Sequence, residues 1–121
     1  MKQQPYHKIL AWQEANKFVI EVYRKTESFP KQEMFGITSQ LRRAALSIPA
    51  NIVEGRAKQS QKDFVRYLNI AEASSKECAF FLEISHSLGF LDEKTYDFLE
   101  DIRTRADFLL RKYKQSITSP E

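Results

Sequence analysis

The sequence predicts an all-α fold, an antiparallel up-down-up-down four-helix bundle, and three observations carry that prediction. Apolar residues recur at three- and four-residue spacing through four stretches separated by short breaks. Only three glycines and four prolines are available to turn the chain. No run of alternating β-branched residues bounded by turn signals occurs anywhere. The chain of 121 residues is the size of one domain, expected to span 1–121, and short connections make successive helices antiparallel neighbours.

Residues 1–7 read as a poorly ordered lead. The first helix is expected over about residues 8–27, with Ile9, Trp12, Asn16, Val19, Ile20 and Tyr23 facing the core and Ala15 and Val22 at the edge. Trp12 is the expected anchor of that face, with Asn16 as a partner for its indole N–H. Pro30 ends the helix because the residue before a proline disfavours α geometry. A short turn over 31–35 and a change of direction at Gly36 follow, with Thr38 as candidate N-cap of the next helix.

The second helix, about residues 37–58, is apolar on two sides. Ile37, Leu41, Ala44, Ala45, Ile48, Ile52 and Gly55 share one face, while Leu46, Ala50, Val53 and Ala57 line nearly the opposite one. Two apolar faces imply a central helix, or one face for the protomer core and one for a neighbouring subunit. Pro49 predicts a kink, with the Ser47 hydroxyl compensating a freed carbonyl. Gly55 marks a close helix approach. Asn51 and Glu54, polar within an apolar helix, are read as hydrogen-bonding across the bundle or a subunit boundary, with Arg43 as a candidate partner.

The third helix, about residues 61–88, opens with Ser60 and Asp63 as a weak capping box. Its wide apolar arc holds Ala71, Ser74, Ser75 and Ala79 at the centre, small enough for a neighbouring backbone to approach. On its far side Ala73, Phe80 and Ile84 interrupt the polar face and suggest a contact surface. Gly89 fits a left-handed helix terminus, Asp92 caps the fourth helix, and Leu99, Ile102, Ala106, Leu109, Leu110 and Tyr113 form its buried stripe over about residues 93–115. Residues 116–121 read as a frayed tail.

Net charge is +3, unevenly placed: +4 over residues 42–66 and −6 over 67–102. The basic group Arg42, Arg43, Arg56, Lys58, Lys62 and Arg66 is the candidate nucleic-acid surface, set against a solvated or intersubunit charge role. No base-reading motif accompanies it. No stretch reaches the roughly 18 apolar residues of a membrane span and no signal-type region follows the first residues, so a cytoplasmic location is expected. Cys78, the one cysteine, reads as a small buried hydrophobe.

Enzymatic chemistry has no visible seat. Nucleophile-elbow, P-loop and dinucleotide-binding glycine patterns are missing, so neither catalytic residues nor a small-molecule substrate is expected. Glu83 and His86 form one Glu-x-x-His pair, whereas a di-metal bundle site needs two such pairs and two further glutamates. The other histidine, His7, precedes the bundle, so neither a metal nor another cofactor is expected.

Residues 29–55, FPKQEMFGITSQLRRAALSIPANIVEG, resemble the family of four-helix-bundle proteins encoded by intervening sequences within bacterial 23S rRNA genes. The resemblance rests on Phe29-Pro30, on Gly36, Gln40, Leu41 and Arg43, and on Ser47, Ile48, Pro49, Asn51, Glu54 and Gly55, and extends to Trp12 and to Phe64, Leu68 and Ala71. Val53 stands where many relatives carry alanine. The resemblance implies a left-handed four-helix bundle assembled as a ring-like homopentamer, with no settled activity. A related bundle, the accessory variability determinant of diversity-generating retroelements, is similar in architecture and binds a reverse transcriptase and nucleic acid. By that analogy an RNA or ribonucleoprotein partner is the expectation, and a protein-binding scaffold the alternative.

Overall fold

The computed structural model describes residues 1–118. Four helices account for most of them: α1 (Leu10–Thr26), α2 (Ile37–Arg56), α3 (Gln61–Ser87) and α4 (Glu93–Thr118), with 3₁₀ turns at Pro5–Lys8 and Lys31–Glu33. Among the described residues there is no strand. Each helix packs on two neighbours, α1 on α2 and α4, and α3 on α2 and α4, with α2 against α3 the most extensive pairing. Cross-helix partners run in opposite order. Glu14 meets Arg105 while Lys25 lies over Phe98 between α1 and α4. Lys114 reaches Glu72, and His86 reaches Glu93, between α3 and α4.

The core is built from Phe18 and Val22 of α1, Leu41, Ile48 and Ile52 of α2, Leu68, Cys78 and Leu82 of α3, and Leu99 and Leu110 of α4. Each large side chain removed from water contributes about 1.5–3 kcal/mol. Small residues bring the helices together where α3 is lined by Ala71, Ser74 and Ser75, all buried.

The inward face of α1 shares buried Ala15, Val19 and Val22 with the expected one but is centred elsewhere. Ala11, Ala15, Phe18, Val22 and Thr26 point to the core, whereas Ile20 and Tyr23 are exposed. Trp12 is half-buried at the periphery, its ring 5.0 Å from Tyr6 and 5.1 Å from His7. Tyr6 and His7 sit in the Pro5–Lys8 turn, so the segment before α1 is folded rather than a loose lead, with the His7 ring accepting a 2.9 Å hydrogen bond from the Gln4 amide.

Helix boundaries follow local hydrogen bonding. Gly36, not Thr38, occupies the N-cap position of α2; Thr38 lies inside the helix and is buried. The Asp63 amide donates to the Ser60 hydroxyl at 3.1 Å to start α3. Gly89 adopts φ +83°, and the amides of Gly89 and Phe90 donate back to His86 and Ser85, closing the end of α3. Asp92 accepts the Thr95 amide at 2.8 Å at the start of α4. That helix continues through Thr118, beyond the expected end near residue 115; the remainder of the expected tail, 119–121, lies outside the described residues. Among the described residues no helix is long and apolar enough to cross a membrane.

Candidate nucleic-acid interface

The surface around the α2–α3 corner is positioned by an unusual stretch of α2. Pro49 is buried within the helix, and the Asn51 amide group donates to the Ser47 carbonyl at 2.7 Å and to its hydroxyl at 2.9 Å. Ser74 of α3 also donates to that hydroxyl, at 2.8 Å. Ser47 therefore joins α2 to α3 instead of compensating a carbonyl freed by Pro49. Asn51 does not reach across the bundle either, and exposed Glu54 faces Lys58 at 3.9 Å, because side chains four residues apart stack on one helix face. Arg43 is exposed and donates to Gln40 at 2.9 Å.

Two turns further on, Gly55 is buried against α3. A Cβ there would lie 2.9 Å from the Tyr67 Cβ and 3.1 Å from the Phe64 carbonyl oxygen. This contact draws the end of α2 onto the start of α3 and places four cations of the candidate group, Arg56, Lys58, Lys62 and Arg66, at one corner. Tyr67 lies between two of them, its ring centroid 5.1 Å from the Lys58 Nζ and 4.6 Å from the Arg66 guanidinium.

The other two cations of the sequence-derived group lie elsewhere. Arg42 and Arg56 are separated by about 21 Å along α2 at 1.5 Å per residue. Arg42 donates to the Thr26 hydroxyl at 2.8 Å and the Tyr23 carbonyl at 3.3 Å and lies over the Tyr23 ring, so it serves the C-terminus of α1. The six cations are thus two clusters, which linear sequence could not separate.

Folding adds cations that sequence reading did not include. The end of the bundle formed by residues 1–14, 54–69 and 108–118 carries nine Lys and Arg against three Asp and Glu. The opposite end, residues 20–40 and 80–101, carries four against nine. The charge alternation along the chain becomes a polarity along the bundle because α4 returns to the end where α1 began. At the basic end a groove of about 490 Å³ opens between the 3₁₀ turn, α1, α2 and α4, with Leu10, Leu109 and Tyr113 in its walls and Lys8, Arg56 and Lys112 around it. Burial pushes the Tyr113 phenol above its ordinary value, partly offset by the nearby Arg56 guanidinium.

The second apolar face of α2 stays outside the protomer core. Leu46 is 44% exposed, Ala50 and Ala57 are exposed, and Val53 is half-buried. On α3, Phe80 is 57% exposed with its ring against Phe81, and Ile84 is half-buried. Leu46 shares a shallow groove with Tyr23 and Met34, separate from the Phe80 patch.

Sequence reading also missed a charged network inside α3 and α4. Arg103 and Asp107 are only 7% and 6% exposed. Arg103 donates to both Glu100 oxygens, at 2.5 and 2.9 Å, and to the Ser75 hydroxyl at 3.2 Å. Asp107 accepts from Lys76 at 3.1 Å and lies 3.7 Å from Arg111. The signal was available, since Leu99, Arg103, Ala106 and Leu110 fall on one helical stripe. His86 pairs with Glu93 at 2.8 Å beside the Tyr96 ring, and no group of three His, Cys, Asp or Glu able to hold a metal occurs among the described residues.

The family profile described as 23S rRNA-intervening sequence protein matches residues 7–112. Among solved structures, the fold is similar to the crystal structure of a protein with unknown function from the S23 ribosomal protein family of Bacteroides thetaiotaomicron VPI-5482. The two chains are 24% identical, the match covers 88% of this chain and 96% of that one, and the TM-score is 0.80. No curated protein matches the chain.

Proposed function

The chain belongs to the 23S rRNA-intervening sequence protein family, and from that premise we propose that it is a non-enzymatic, oligomeric interaction module of the cytoplasm that associates with RNA or ribonucleoprotein. The observation that carries this reading is the basic end of the bundle, where Arg56, Lys58, Lys62 and Arg66 are joined by Lys8 and Lys112. Such a surface attracts phosphate by counterion release, with low sequence specificity. The exposed second face of α2, Leu46, Ala50, Val53 and Ala57, supports self-association, for which a homopentamer is the proposed state. Repetition around a ring would multiply the field of the basic ends.

The reading is tested by measuring absolute mass by light scattering, with and without bacterial RNA at low salt. Five protomers whose mass rises with RNA, and whose RNA affinity falls steeply as salt is added, is the expected result. A mass unaffected by RNA overturns the RNA part, and a monomer overturns the oligomer. Ala50→Arg is expected to dissociate the assembly while leaving helicity intact, because its side chain is outside the protomer core. A second reading, a protein-binding scaffold, draws support from exposed Phe80; it is favoured if five protomers form and RNA leaves the mass unchanged.

A further inference from the structure

We infer that the groove at the basic end seats one unpaired nucleotide of single-stranded RNA, its base against Leu10, Leu109 and Tyr113 and its flanking phosphates on Lys8, Arg56 and Lys112. The inference rests on the RNA association proposed above and specifies the form of RNA. The groove volume, about 490 Å³, is within the range of small-ligand sites and accommodates a base with its sugar. Its walls are apolar and aromatic, the surface on which a base face stacks, while its cations come from three different elements and surround that surface.

Among the described residues these cations, Lys8, Arg56 and Lys112, carry no carboxylate partner, although the Lys112 ammonium lies 5.6 Å from the Phe108 ring centroid. Arg111 and Lys114 of the same end do pair with carboxylates. Tyr113 keeps its proton at neutral pH and offers an O–H donor. A strand leaving the groove meets Lys58, Lys62 and Arg66 at the adjoining corner. A single-headed amphiphile would leave those further cations unused, and a duplex keeps its bases inside the stack and cannot fill the groove.

Trp12, the one tryptophan of the chain, reports on the site because its ring packs on Tyr6 and His7 in the turn that forms one wall. The experiment titrates the full chain at low salt with an oligoadenylate of about ten nucleotides and with an RNA duplex of equal length, reading Trp12 emission and binding. Leu10 is 62% exposed, so Leu10→Ser removes apolar contact without disturbing the core. The expected result is a Trp12 response to the single strand and a loss of its affinity on the order of tenfold in Leu10→Ser, with duplex binding unchanged. Lys112→Gln should lower the salt slope for the single strand by about one. If Leu10→Ser binds the single strand as the wild type does while Lys62→Glu weakens both RNAs, the groove is not a base seat and the general RNA association stands. If the wild type binds neither RNA, the RNA association itself falls, and capture of an acidic peptide in the groove would replace it.

Discussion

The hydroxyl of Ser74 on α3 donates to the hydroxyl of Ser47 on α2 at 2.8 Å, tying the two most extensively packed helices through a pair of small polar side chains. Asn51 donates to the same Ser47 oxygen, so one hydroxyl serves both helices. Ser47→Ala leaves the buried Ser74 hydroxyl without this acceptor, at a cost of about 1–3 kcal/mol. Urea denaturation should show a lower midpoint with an unchanged slope; an unaltered midpoint would mean that water replaces the bond.

Gly55→Ala sets two terms against each other. Alanine gains about 1 kcal/mol in helix propensity. Its Cβ would sit 2.9 Å from the Tyr67 Cβ and 3.1 Å from a backbone oxygen, so α2 and α3 must separate. Overpacking of this kind costs about 1–3 kcal/mol, and a net destabilisation is expected in thermal unfolding. A stabilised variant would show that the interface has slack.

How much of this was legible in sequence varied with the kind of information each residue carries. The core face of α2 was readable because Leu41, Ile48 and Ile52 repeat at helical spacing, and Gly55 because no side chain interrupts it. The face of α1 was readable only in part: Ala15, Val19 and Val22 are buried as expected, but Ile20 and Tyr23 are exposed and Phe18 is buried, because periodicity alone cannot rank overlapping apolar stripes. Arg103 and Asp107 lay on a readable stripe, but their burial depends on Glu100, Ser75 and Lys76, and two of these belong to another helix. The basic surface needed the fold for the same reason: Arg42 and Arg43 lie toward the other end of α2, whereas Lys8 and Lys112 become neighbours of Arg56 through the 3₁₀ turn before α1 and through α4.

Asp92 predicts a pH dependence. Hydrogen bonds from Thr95 hold its carboxyl below the ordinary value of 3.8. Because the folded value is the lower one, its contribution is present in full above the unfolded value and is lost as pH falls through the folded value. Stability measured between neutral pH and pH 2 should therefore lose an acid-side component in Asp92→Asn. Identical acid profiles for the two proteins would remove the cap from the account.

Cys78 should be chemically silent until the bundle opens. Burial pushes its thiol up to about 12, against a smaller opposing effect from Arg103. Labelling with a thiol reagent near pH 8 is expected to be slow in the native protein and fast in guanidinium. Rapid native labelling would show that the α3–α4 interface opens locally.

The lengthwise charge polarity gives the protein two poles, and poles constrain how copies can neighbour one another. If copies assemble side by side in the proposed ring, pointing the same way, like charge crowds at both rims, so added salt would relieve repulsion and favour that ring even as it weakens any polyanion binding. Assembly and nucleic-acid affinity would then answer ionic strength with opposite signs. End to end, the acidic pole of one copy would attract the basic pole of the next and compete with any polyanion for the same cations.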